Sequence, residues 1–120
     1  TKLRWQHANR VKRAISLIRD RCKRRGLEFD LDTRWLEREL ALNRCELTGL
    51  RFYAGPEPGH PRSWSVDRIN SKKGYTRSNC RLVTYQMNVA LNVFGEQSFA
   101  ELAFAYVSRV KALQKSQSRN

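Results

Sequence analysis

The sequence predicts an α+β chain: a two-stranded antiparallel ribbon and a following helix, flanked by an N-terminal and a C-terminal helix. Three observations lead there. Apolar side chains recur at helical spacing near the start, at Ala8, Val11, Ile15, Ile18 and Cys22. Residues 64–94 read as strand, long loop, strand and helix. Helical spacing then returns at Leu102, Ala105, Tyr106, Val110 and Leu113.

The first helix is expected over residues 1–26, stopped by Gly26 in the position after the last turn. Leu27 to Leu31 alternates with period two and reads as a short extended piece. Asp32 or Thr33 caps a second helix, with Trp35, Leu36 and Leu40 inside and Glu37, Arg38 and Glu39 outside. Cys45 to Phe52 reads as a strand or turn around Thr48-Gly49. Residues 54–62 form a loop holding all three prolines. Trp64–Ile69 and Cys80–Thr84 read as strands, joined by ten residues from Asn70 to Asn79. Tyr85–Phe94 reads as a helix closed by Gly95. Ser98-Phe99-Ala100-Glu101 forms a capping box that opens the last helix, and Lys115 to Asn120 is expected to fray. The expected organisation is one domain over 1–120: basic helix 1–26, lead-in 27–63, ribbon and helix 64–94, C-terminal helix 95–115.

Composition bounds the function. The 120 residues carry 24 Lys+Arg against 11 Asp+Glu, a net charge of +13. Twelve aromatic residues and a 40% hydrophobic share are too core-rich for a disordered basic tail. No run of about 18 apolar residues suggests a membrane span. No secretory leader is expected, and a start at Thr1 rather than Met leaves a longer parent chain open. Cys22, Cys45 and Cys80 are odd in number and lack paired spacing, so neither a disulfide framework nor a structural zinc site is expected. That usage points to a reducing, intracellular setting, with the cysteines as small hydrophobes.

The charge is concentrated. Residues 1–26 carry ten Lys/Arg and a single acid, Asp20. A solvated amphipathic helix is one reading; a phosphate-contacting surface is the other, and solubility alone needs no such asymmetry. Arg10, Lys12, Arg13, Arg21, Lys23, Arg24 and Arg25 lie off the apolar stripe and are candidate phosphate contacts.

Two features of residues 64–94 need a reason. Tight hairpins use about two to five loop residues, and this connection has ten. The following helix has no charged residue, and Asn88 and Asn92 stand four apart on one face. The two amides are either satisfied side chains or a polar site. Asp67, ending an apolar strand before Arg68, is either half of a surface pair or a ligand. A carboxylate with an amide oxygen suits a hard divalent cation that keeps its waters.

The strings Ser65-Val66-Asp67-Arg68-Ile69, Lys73-Gly74-Tyr75-Thr76, Asn79-Cys80-Arg81-Leu82-Val83 and Asn88 resemble HNH endonucleases. The branch is that of phage, plasmid and restriction enzymes with Asp-Arg in place of Asp-His. Cys45 to Phe52 and Arg24 to Leu31 resemble the same branch, so the likeness covers roughly residues 10–100. It implies the ββα-metal fold, with one divalent cation, Mg2+ or Mn2+, held against the scissile phosphate of DNA, double-stranded by expectation. Asp67 would be the strand ligand and Asn88 the helix ligand. Asn92 would be a further ligand or an outer partner. Asn79 would fix the loop through backbone bonds. In-line attack would leave a 5′-phosphate. Lys72, Lys73, Arg77 and Arg81 would hold the backbone together with the basic helix.

One departure matters. The family's general base is the His after Asp, and here it is Arg68, which stays protonated and so cannot accept a proton. It can stabilise charge on the phosphate. His60, Tyr53, Tyr75, His7 or water activated by the metal would then have to serve. The alternatives are a catalytically inactive nucleic-acid-binding module on the same fold, an RNA-directed basic protein, and a basic scaffold. Monomer and homodimer are both open.

Overall fold

The computed structural model describes residues 2–118. It is mixed α and β, with four helices and a two-stranded antiparallel sheet. The order is α1 (Lys2–Arg25), α2 (Thr33–Ala41), β1 (Trp64–Arg68), β2 (Cys80–Thr84), α3 (Tyr85–Leu91) and α4 (Gly95–Ser118). By its internal contacts the chain forms two compact units, Thr1–Tyr85 and Gln86–Asn120.

In the first unit, α1 presents Val11, Ile15, Ile18 and Cys22 to the core. Ala8, expected on the same face, is exposed. The buried stripe therefore begins at Val11. Gly26 ends α1 at φ 67°, and Leu27 N–H donates to the Cys22 carbonyl at 3.0 Å, the six-to-one bond of a Schellman cap.

Helix α2 is capped by Asp32, whose carboxylate accepts from Trp35 N–H at 2.8 Å. Trp35 and Leu36 are buried and Leu40 is half-buried, while Glu37 and Arg38 face solvent. The helix ends at Ala41 and is followed by Asn43, the sole non-glycine residue at positive φ (53°) among the described residues, a conformation asparagine tolerates. It packs on α1 and on β2, so it lies between the long helix and the ribbon. Leu82 and Val83 of β2 close the core from the other side.

Cys45 to Phe52 is a turn: an isolated antiparallel bridge joins Arg44 to Arg51, and Glu46 N–H reaches the Leu82 carbonyl at 2.9 Å. The three cysteines are buried and unbridged. Burial pushes the Cys80 thiol up to about 12, which keeps it protonated and unreactive at neutral pH.

Strand β1 stops at Arg68, one residue short of the expected Ile69, although Ile69 N–H still donates to the Asn79 carbonyl at 2.8 Å. The register sets Asp67 opposite Arg81 and Arg68 opposite Cys80.

In the second unit, α3 ends at Leu91 rather than Phe94. Asn92 N–H bonds the Val89 carbonyl, a three-residue step that tightens the chain into a turn. Asn92 therefore lies in that turn and not on the helix with Asn88. Helix α4 starts at Gly95, so the Ser98–Glu101 capping box falls inside it. Glu96 and Gln97 are good helix formers, and an acid in the first turn suits the helix dipole. One extra turn thus outweighs a local cap. The tail expected to fray from Lys115 is helical through Ser118; Arg119 and Asn120 lie outside the described residues.

Candidate functional site

The ribbon pleat puts Asp67 with Ser65 on one face and Arg68 with Val66 on the other. Asp67 meets its cross-strand neighbour: Arg81 Nε donates to Oδ2 at 3.0 Å, with only 11% of the Arg81 side chain and 12% of the Asp67 side chain exposed. Arg81, expected at a phosphate, is thus turned inward onto the carboxylate. The sequence held no signal for this pairing, since a ten-residue loop does not fix a hairpin register.

Arg68 is also held. Its Nη1 donates to the Lys73 carbonyl at 2.9 Å, and its guanidinium stands 4.7 Å from the centre of the Tyr75 ring. Tyr75 is buried and receives a second arginine: Arg21 Nη1 donates to its hydroxyl at 2.9 Å. Both guanidiniums come within cation–π range of the ring centre, Arg68 at 4.7 Å and Arg21 at 5.9 Å. The phenol that was a candidate base already accepts from Arg21.

Asn79 organises the connecting loop. Its Oδ1 accepts from Asn70 N–H at 2.9 Å, and its Nδ2 donates to the carbonyls of Asn70 (3.0 Å) and Gly74 (2.8 Å). The loop is sewn to the segment after α1: Tyr75 N–H donates to the Glu28 carbonyl, and Asp30 N–H to the Tyr75 carbonyl. A side chain at Gly74 would overlap the backbone of Glu28, so this close approach requires glycine. Arg77 completes the seam, its N–H on Asp30 Oδ1 and its Nη2 on Asp32 Oδ2, both at 2.7 Å. The Trp35 N–H bond, assisted by Arg77, holds the Asp32 carboxyl below its ordinary value.

The remaining candidate bases are spread out. His60 stacks on Tyr53 with ring centres 3.8 Å apart. Its Nδ1 accepts from Arg62 N–H at 3.0 Å, which places the neutral ring's proton on Nε2. The Tyr53 hydroxyl accepts from Glu57 N–H at 3.2 Å. Both belong to the loop entering β1 at Trp64, and three residues of strand, about 10 Å, separate Trp64 from Asp67. His7 pairs with Glu37 at 3.2 Å on the α1–α2 face.

Lys72 and Lys73 line an open cavity of about 560 Å³ with Gly26, Glu28, Thr76 and Asn79. Arg24 and Arg25 end α1 immediately before Gly26 and are exposed, as are Arg10, Lys12, Arg13 and Lys23. Arg21 is half-buried on Tyr75 instead. Asn88 is half-buried on α3 and Asn92 exposed in the turn, both in the second unit.

Among the described residues, no three His, Cys, Asp or Glu side chains cluster as a metal-binding group. In donor type Asp67 suits a hard cation, although only 12% of its side chain is exposed. A carboxylate has about four lone-pair sites, Arg81 Nε uses one, and magnesium is commonly held by one or two carboxylates with waters and substrate phosphates. No family model, curated protein or solved structure matches the chain. No helix among the described residues is long and apolar enough to cross a membrane.

Proposed function

We propose that this chain is a metal-dependent endonuclease of the HNH type that hydrolyses phosphodiester bonds in duplex DNA. The observation that carries the reading is the Asp67–Arg68 step at one end of a two-stranded ribbon, beside a loop pinned by Asn79 and rimmed by Lys72 and Lys73. A net charge of +13 supports a polyanionic substrate.

In this reading Asp67 holds the cation. The chemistry a divalent cation would supply there is polarisation of the phosphodiester and a more acidic water, so that no side-chain base would be required. Arg68, always charged, neutralises developing charge on the phosphate oxygens. The Lys73 carbonyl and the Tyr75 ring fix its head, so the charge arrives pre-oriented. Arg81 orients the Asp67 carboxylate. Lys72, Lys73, Arg24 and Arg25 hold the strand. Neutralising about six phosphates gives a log–log salt slope of about −5.

A second reading rests on the Asp67–Arg81 pair. A guanidinium already on the carboxylate weakens its attraction for a cation, which favours a catalytically inactive DNA-binding module. Supercoiled-plasmid cleavage with magnesium, manganese or EDTA separates the two. Metal-dependent nicking that vanishes in Asp67→Ala supports the nuclease. DNA binding without cleavage under either metal supports the binding module. Equal cleavage by Asp67→Ala and the parent refutes the assigned centre.

A further inference from the structure

We infer that α4 is a self-association surface, on which two copies of this chain pair with their α4 helices antiparallel. The helix has 24 residues, and none of them is buried. Phe99, Leu102, Tyr106, Val110 and Leu113 follow one another at steps of three and four and form a continuous apolar stripe. Leu102 and Tyr106 are each 69% exposed, and Val107 and Leu113 47%. Most helical stability in proteins comes from packing an amphipathic face, and on this one Phe99 and Val110 are half-buried while Leu102, Tyr106 and Leu113 stay exposed.

Charge points to a second copy as the occupant. Glu96 and Glu101 are the only charged residues in the first half of α4, and Arg109, Lys111 and Lys115 the only ones in the second half. Antiparallel pairing sets each acidic half beside a basic half, whereas parallel pairing sets like against like. The helix lies in the nearly neutral unit of the chain: residues 1–85 carry 20 Lys/Arg against nine Asp/Glu, and residues 86–120 carry four against two. Two copies therefore meet where their mutual repulsion is weakest. Two-fold symmetry counts each stripe residue twice, so a narrow stripe on each copy is doubled in the pair.

The inference does not depend on the nuclease reading, and its test reads mass rather than cleavage. Sedimentation equilibrium of the full chain across the micromolar range is expected to climb from 14.1 kDa toward twice that value. A Leu102→Glu/Tyr106→Glu chain is expected to weaken association at least tenfold. Both residues are exposed, so the core is untouched, and near-ultraviolet dichroism from Trp35 and Trp64 checks that. Orientation is read by mixing Phe99→Cys with Leu113→Cys chains, which should form the mixed disulfide; the native cysteines are buried and do not compete. A one-chain mass at every concentration, or association indifferent to the double substitution, overturns the surface. Disulfides that form only between like positions overturn the antiparallel arrangement.

Discussion

Asp67 and Arg81 stand directly opposite each other in the ribbon, joined by one charge-assisted bond of 3.0 Å and nearly shut off from water. Removing one partner of such a pair strands a desolvated charge, whereas an exposed pair contributes less than about 1 kcal/mol. Arg81→Ala is expected to lower stability by about 3 kcal/mol. Asp67→Asn is expected to cost less, because its amide oxygen still accepts from Arg81 Nε. Urea unfolding of both variants and of the Asp67→Ala/Arg81→Ala chain measures the coupling. A loss in Arg81→Ala no larger than that of an exposed pair contradicts the burial argued for the site.

Asn79 spends three hydrogen bonds on its own loop, each to backbone and none to another side chain. Asn79→Ala is expected to cost about 2–3 kcal/mol, since it leaves loop donors and acceptors without their partner. Asn79→Asp keeps the acceptor for Asn70 N–H but turns a carboxylate toward two carbonyl oxygens, so it should not rescue. Thermal melting gives the loss, and limited proteolysis shows whether cleavage moves into residues 70–78. Rescue by Asp would mean that the single bond to Asn70 N–H holds the loop.

Asp32 caps α2 and also accepts from Arg77, so its carboxylate joins the second helix to the connecting loop. Its folded value lies below 3.8, first through the Trp35 N–H bond and then through Arg77. A depressed carboxyl releases its proton more readily when folded, so its stabilisation is present above about pH 4. It is lost as pH falls below that through the folded value. Asp32→Asn keeps a capping oxygen but does not titrate. Its melting temperature is expected to fall less steeply between pH 5 and 2 than that of the parent. Parallel acid limbs in the two proteins would sink this assignment.

The ends of this fold and its centre were legible to different degrees. Apolar spacing from Val11 to Cys22 and the Gly26 stop fixed α1, because a helix face and its cap are local patterns. The Asp32 cap and the strands 64–68 and 80–84 were local in the same way. Asp67 stood out as a carboxylate ending an apolar strand before Arg68, and Asn79 only through the likeness to HNH endonucleases. Their partners did not: Arg81 on Asp67 depends on hairpin register, and the bond from Arg21 to Tyr75 joins residues 54 apart in sequence. The Ser98 capping box misled for the converse reason, since a local signal lost to one more turn of good helix formers.

Arg68 lies over Tyr75 at 4.7 Å and donates to the Lys73 carbonyl, so its role depends on a planar, forked head. Lysine carries the charge but neither stacks on the ring in that way nor offers the fork. If Arg68 stabilises phosphate charge, Arg68→Ala is expected to lower the cleavage rate about 10²–10³-fold, the loss typical of one pre-organised donor. Arg68→Lys should recover little of it. Tyr75→Phe keeps the ring under Arg68 and loses only the bond from Arg21, so cleavage should fall less than in Tyr75→Leu, which removes the ring. Single-turnover cleavage of a plasmid by the four variants orders them. Full activity in Arg68→Lys would reduce Arg68 to a diffuse positive charge, and equal losses in the two Tyr75 variants would place the ring's contribution in its hydroxyl.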